Sequence, residues 1–104
     1  MRQNVVTQNI SDQQGNPLGG SAEGIGLKIE WQAGPIGQDG SGINGAFVED
    51  VLEACIGRLK FYQDSRYSCD YNARAMEKIR EALDALDART LDRKNRHVEG
   101  TNAV

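Results

Sequence analysis

Arg89 and Arg93 stand four positions apart in a stretch free of glycine and proline, so on a helix they share one face. Like charges at that spacing cost a helix roughly 0.2–0.5 kcal/mol. Two guanidinium forks so placed can clamp a phosphate or pyrophosphate. The same arginines, with Lys94 and Arg96, also complement the negative end of a helix dipole and can pair with Asp87 and Asp92. The residues alone leave both uses open.

Phe61, Tyr62 and Tyr67 cluster where two helical patterns meet, and Asn72 follows Tyr62 by ten positions. An aromatic ring there can stack on a nucleobase while an asparagine amide hydrogen-bonds its edge. Tyr62 can equally be the last core residue of its helix.

Acid–base or nucleophilic chemistry finds little support. His97 is the one histidine and has no serine, cysteine or carboxylate spaced to form a nucleophile–base pair with it. Glu77, Glu81, Asp84 and Asp87 interleave with Arg74, Lys78 and Arg80, the pattern of a solvated helix face rather than a metal site. Cys55 and Cys69 form no CxxC or Cys/His cluster, so neither zinc nor a disulfide framework is indicated and reduced thiols are expected. We expect no enzyme and no cofactor.

The elements that must carry these residues follow from periodicity. Asn4 to Ile10 can pair as a short strand, and residues 11–26, rich in glycine and polar side chains, read as a loop. Leu27, Ile29, Trp31 and Ala33 alternate with Lys28, Glu30 and Gln32, which predicts a strand over 27–33 with one buried face. Gly34-Pro35 ends it. The glycine-rich stretch 34–45 is then a mobile arm or a backbone-lined wall.

From there the period becomes helical. Val48, Leu52, Cys55, Leu59 and Tyr62 make one seam of a helix over about 44–63, and Ser68 or Asp70 can cap a second helix. Asn72, Met76, Ile79, Leu83, Leu86, Thr90 and Arg93 continue the four–three spacing over about 70–96. That seam is apolar in the middle and polar at both ends, which a pure core seam would not be. A short connection makes the two helices antiparallel neighbours, and Gly100 is a candidate end of the ordered chain. The fold class is α+β, a small antiparallel β element followed by a long two-helix hairpin, with residues 1–104 as a single domain.

A chain of 104 residues with 38% hydrophobic and 6% aromatic content buries a modest core, and we expect oligomerisation to supply the missing burial. The formal charge of -3 argues against a nucleic-acid polymer as partner, which would need a broad basic surface. No leader-like segment and no apolar run of membrane length is present, so a soluble intracellular protein is expected.

Taken in order, Gly34-Pro35, Gly42-Ile43-Asn44-Gly45, Arg58-Leu59, Tyr62-Gln63, Asn72-Ala73 and the closing run Arg89-Thr90, Arg93 and Val98-Glu99-Gly100-Thr101 resemble the first Thoeris anti-defence family of phage proteins. The resemblance covers about residues 27 to 101. It implies a sponge that binds cyclic ADP-ribose isomers made by bacterial TIR proteins and withholds them, uncleaved, in the cytoplasm of the infected host. It further implies that Tyr62 is the pocket aromatic, where the family more often has phenylalanine, that Asn72 is the pocket asparagine, and that Arg89 and Arg93 contact the ligand. Homodimers that assemble into hexamers are implied as well, and some members bind cyclic di- or trinucleotides at a separate site.

Two other readings stay open at this stage. One is a sponge mainly for the cyclic oligonucleotides of CBASS defence, which would survive loss of Tyr62 and Asn72. The other is a helical-hairpin oligomerisation module in which the arginines only cap a helix.

Overall fold

The computed structural model describes residues 1–104, which form two compact units: Met1–Phe47 with Val98–Val104, and Val48–His97. The secondary structure is α+β, as its periodicity predicts. Three antiparallel strands are followed by two helices.

In the first unit, β1 (Val6–Ser11), β2 (Pro17–Gly24) and β3 (Leu27–Trp31) form one sheet in the order β1-β2-β3. The β1–β2 connection is built on Asp12, whose carboxylate accepts from the backbone N–H groups of Gln14 (2.8 Å) and Asn16 (2.9 Å) and from the Asn16 amide (3.0 Å). A two-residue turn, Ile25-Gly26, joins β2 to β3, and Gly26 supplies the left-handed φ of 72° it needs.

β2 corrects the expectation of a loop over 11–26. Its sequence shows almost no apolar alternation, yet its backbone is paired on both sides, Ala22 lying between Thr7 of β1 and Ile29 of β3. Glycine is what lets the strand fit. A Cβ on Gly20 would run into the Gln8 carbonyl oxygen of β1. Ala22, at 6% exposure, is the one buried apolar residue of the sheet unit.

β3 ends at Trp31 rather than Ala33, and the helix expected from 44 begins only at Val48, for one shared reason. Residues 32–34 and 42–46 are tied to each other. The Gln32 amide accepts from Asn44 N (2.8 Å) and Gly45 N (3.2 Å) and donates to Gly42 O (2.9 Å). Asn44 answers with both its amide groups on the backbone of Ala33, each at 2.9 Å. Trp31 and Ala46 then make a parallel bridge. The stretch 34–45 is therefore closed by side-chain amides, and Gly100 is not the end of structure, since its carbonyl accepts from Ile36 N at 2.9 Å.

In the second unit, α1 (Val48–Gln63) and α2 (Asp70–Asn95) form the antiparallel hairpin. Glu49 and Asp50 open α1 and Lys60 lies in its last turn, both signs matching the helix dipole. α1 of 16 residues is about 24 Å long and α2 of 26 residues about 39 Å, so the last turns of α2 extend past α1. Their packed faces are thin. Met76 and Leu83 are buried, and no residue of α1 is.

The α2 seam lies where the spacing predicts, with Asn72, Met76, Ile79, Leu83, Leu86, Thr90 and Arg93 all at least half-buried. The α1 seam is rotated: Val48 and Cys55 are exposed, and Ile56 is covered with Leu52, Leu59 and Tyr62. Neither Ser68 nor Asp70 caps α2. Cys69 does, in extended conformation, its Sγ accepting from Asn72 N at 3.5 Å.

Candidate nucleotide site

The connection from α1 to α2 is short and fully tied. Gln63, the last residue of α1, donates from its amide to Cys69 O (3.0 Å) and accepts from Cys69 N (2.9 Å). The Ser65 hydroxyl donates to Tyr62 O (2.6 Å) and accepts from Tyr67 N (3.1 Å). Tyr62 and Asn72 thereby flank one turn held from both sides.

Asn72 is half-buried, and its Nδ2 donates to Tyr67 O at 3.3 Å. That bond uses the amide's donor end and leaves Oδ1, its acceptor, for another group. Tyr62 is half-buried too, and its ring meets Phe61 edge to face at 6.2 Å. The turn end of the hairpin thus offers an aromatic ring and an amide, the groups that recognise a base by stacking and by its edge.

Arg89 and Arg93 are not at that end. Arg89 follows Asn72 by 17 positions on the same helix, which places the two about 25 Å apart along the axis. Within one chain the four residues therefore do not converge on a single small molecule.

Arg89 is exposed and takes neither Asp87 nor Asp92 as a partner; Asp92 pairs with Arg96 at 3.1 Å. Arg93 is half-buried on the seam. Of the two uses open to these arginines, pairing with neighbouring carboxylates is the one Arg89 does not make.

Arg58, which enters the sequence reading only as part of the family resemblance, lies against two of the aromatics. Its Nε donates to the Tyr62 hydroxyl at 3.1 Å, and its guanidinium carbon lies 5.0 Å from the Phe61 ring centre and 4.9 Å from that of Tyr62. Spacings of three and four positions from an arginine to two aromatics were the available signal. Gln63 carried no such signal, because its partner is backbone.

No group of three or more histidine, cysteine, aspartate or glutamate side chains stands together. His97 is exposed beyond α2, with a left-handed φ of 58°. No helix is long and apolar enough to cross a membrane.

A three-stranded antiparallel sheet, a tied helical hairpin and arginine-edged aromatic groups define a small hairpin-domain protein. The Acb2/Tad1 hairpin domain model matches residues 23–91, and the chain belongs to that family. It is also similar to Thoeris anti-defense 1 of Bacillus phage SBSphiJ7, at 40% identity over 74 residues, which are 71% of this chain and 51% of that protein. The chain spans about half the length of the curated relative it matches. Tyr62, Asn72 and Arg89 fall inside the family match and Arg93 two positions beyond it.

Proposed function

We propose that this protein counters Thoeris defence as a sponge: it binds a glycocyclic ADP-ribose isomer made by bacterial TIR proteins and withholds it without cleavage. The observation that carries the reading is the tied turn that sets Tyr62 beside the start of α2, where Asn72 keeps an amide acceptor available. Membership of the Acb2/Tad1 hairpin family and likeness to a protein named as a Thoeris anti-defence factor support it. Sequestration needs affinity and no acid, base or metal. A nanomolar Kd, about -12 kcal/mol, is the scale at which a sponge outcompetes a receptor.

In this reading the site is completed by a second copy. Two α2 helices packed antiparallel by a twofold axis bring the arginine end of one beside the turn end of the other, so Arg89 and Arg93 of one copy face Tyr62 and Asn72 of its mate. The same packing covers seam positions of the α2 turns that extend past α1. The ring then takes the adenine, the asparagine its edge, and the arginines the pyrophosphate. The place of action is the cytoplasm of the infected host, where the signal is made.

The test is to incubate purified protein with glycocyclic ADP-ribose, remove free ligand, denature by heat and identify the released molecule by mass spectrometry. Intact ligand in stoichiometric amount supports the sponge. A cleaved product makes the protein an enzyme, and no retained ligand sinks the reading and directs the search to cyclic di- and trinucleotides.

A further inference from the structure

Three arginines near the hairpin turn stack on aromatic rings: Arg58 on Phe61 and Tyr62, Arg66 on Tyr67, and Arg74 on Tyr71. Tyr67 and Tyr71 are exposed at 63% and 76%, so their arginines lie against rings that face solvent. Arg66 also donates to the hydroxyl of its ring, from Nη2 to Tyr67 at 2.8 Å. Arg58 differs in touching the half-buried ring of Tyr62 and in gripping its hydroxyl through Nε, which leaves both terminal nitrogens for another partner.

An arginine has five N–H donors, and this bond occupies one of them. The four on Nη1 and Nη2 meet no carboxylate, since the ion pairs nearby are made by others: Lys60 takes Asp64 at 2.9 Å. A guanidinium placed over two rings and bonded to the hydroxyl of one of them has surrendered much of its rotamer freedom before any ligand arrives, so little more is lost when its free edge binds an anion. The edge it presents, two parallel N–H groups, matches a pair of phosphoryl oxygens.

We infer that Arg58 is a ligand-contacting residue of the nucleotide site, with Nε anchored on the Tyr62 hydroxyl and Nη1 and Nη2 binding a phosphoryl oxygen of the molecule whose base lies on the Tyr62 ring. The inference rests on the sponge reading and adds to it an anion contact supplied by the same copy that supplies the aromatic ring. Stacking and charge recognition are then coupled through one hydrogen bond. Tyr62 acts in both, as a surface for the base and as the anchor of the cation.

The experiment is calorimetric titration of glycocyclic ADP-ribose into the full chain as wild type, Arg58→Ala, Arg58→Lys and Tyr62→Phe, each at low and high salt, with melting temperature measured alongside. The expected result is binding weakened by about tenfold or more in Arg58→Ala, a shallower salt dependence in that variant, and partial recovery in Arg58→Lys, which keeps the charge and loses the fork. Tyr62→Phe, which frees the anchor and keeps the ring, should fall between wild type and Arg58→Ala. Melting temperatures of the wild type and the two Arg58 variants should agree, because the Arg58 side chain is exposed. Wild-type binding with Arg58→Ala within twofold of it overturns the inference and leaves the sponge standing. So does an equal loss in all three variants at every salt, which would mean that Arg58 only steadies the ring. No binding by the wild type overturns both.

Discussion

Gln63 and Cys69 exchange two hydrogen bonds, side-chain amide against backbone, at 3.0 and 2.9 Å. Through this pair the last residue of α1 dictates where α2 starts, and with it where Asn72 stands relative to Tyr62. Gln63→Ala removes both bonds and leaves the Cys69 backbone to water. The expected cost is about 1–2 kcal/mol of hairpin stability, read as a fall in melting temperature of several degrees, with ligand affinity falling further than stability does. Gln63→Glu keeps the acceptor and loses the donor, and should land between the two.

Asn72→Trp should abolish ligand binding in a protein that still folds. The cost to the apo protein is one 3.3 Å hydrogen bond to Tyr67 O, about 1 kcal/mol. Helicity by circular dichroism and ligand retention, measured on the same sample, check it. Normal retention would put the base elsewhere.

Arg89→Ala should leave the apo protein as stable as the wild type or slightly more so. The side chain is exposed, takes no carboxylate and repels Arg93 one turn away. Ligand affinity should nevertheless drop about tenfold or more, the loss of a charge-assisted hydrogen bond. Mixing Arg89→Ala chains with Asn72→Trp chains sharpens the point. If the two ends of α2 meet across copies, mixed dimers hold one site lacking both residues and one intact site, and half the wild-type capacity returns to them.

Gly20→Ala should displace β1. The added methyl would meet the Gln8 carbonyl oxygen, and the residue's φ of 148° is strained for alanine. Amide exchange along Val6–Ser11 should quicken by orders of magnitude while the hairpin amides keep their protection.

Asp12 sets a pH dependence of known sign. The Asn16 N–H and side-chain amide, with smaller help from Gln14 and Gly15, hold its carboxyl below its ordinary value of 3.8. A depressed folded-state pKa means that the turn's contribution is complete above the unfolded value and is lost as pH falls through the folded one. Asn16 amide protection should therefore decline below about pH 4. In Asp12→Asn that decline should be absent.

How much of this was legible beforehand varies by residue. The α2 seam was readable because its covered positions recur at four and three, and the covering follows them from Asn72 to Arg93. The α1 seam was misread by one position because Cys55 and Ile56 are both apolar and adjacent, and periodicity alone cannot say which is covered. β2 was hidden since its pairing is backbone on both sides and Gly19, Gly20 and Gly24 contribute no side chain to a pattern. The separation of Asn72 from Arg89 was available as arithmetic on a single helix. The Gln63 and Gln32 ties were not, because an amide that bonds backbone leaves no mark on spacing.

Ile36 and Gly100 are joined by a hydrogen bond across 64 positions of sequence, while the bonds of the α1–α2 turn, Gln63 with Cys69 and Ser65 with Tyr62 and Tyr67, join near neighbours. On the ribosome the first unit, though begun first, is consequently the last to be completed. The hairpin can form from near neighbours as it emerges. The stretch around Ile36, made long before, waits for the segment after α2 before its last strap is fastened. A stalled or trimmed chain lacking that segment would lose the Ile36–Gly100 bond and keep every bond of the α1–α2 turn.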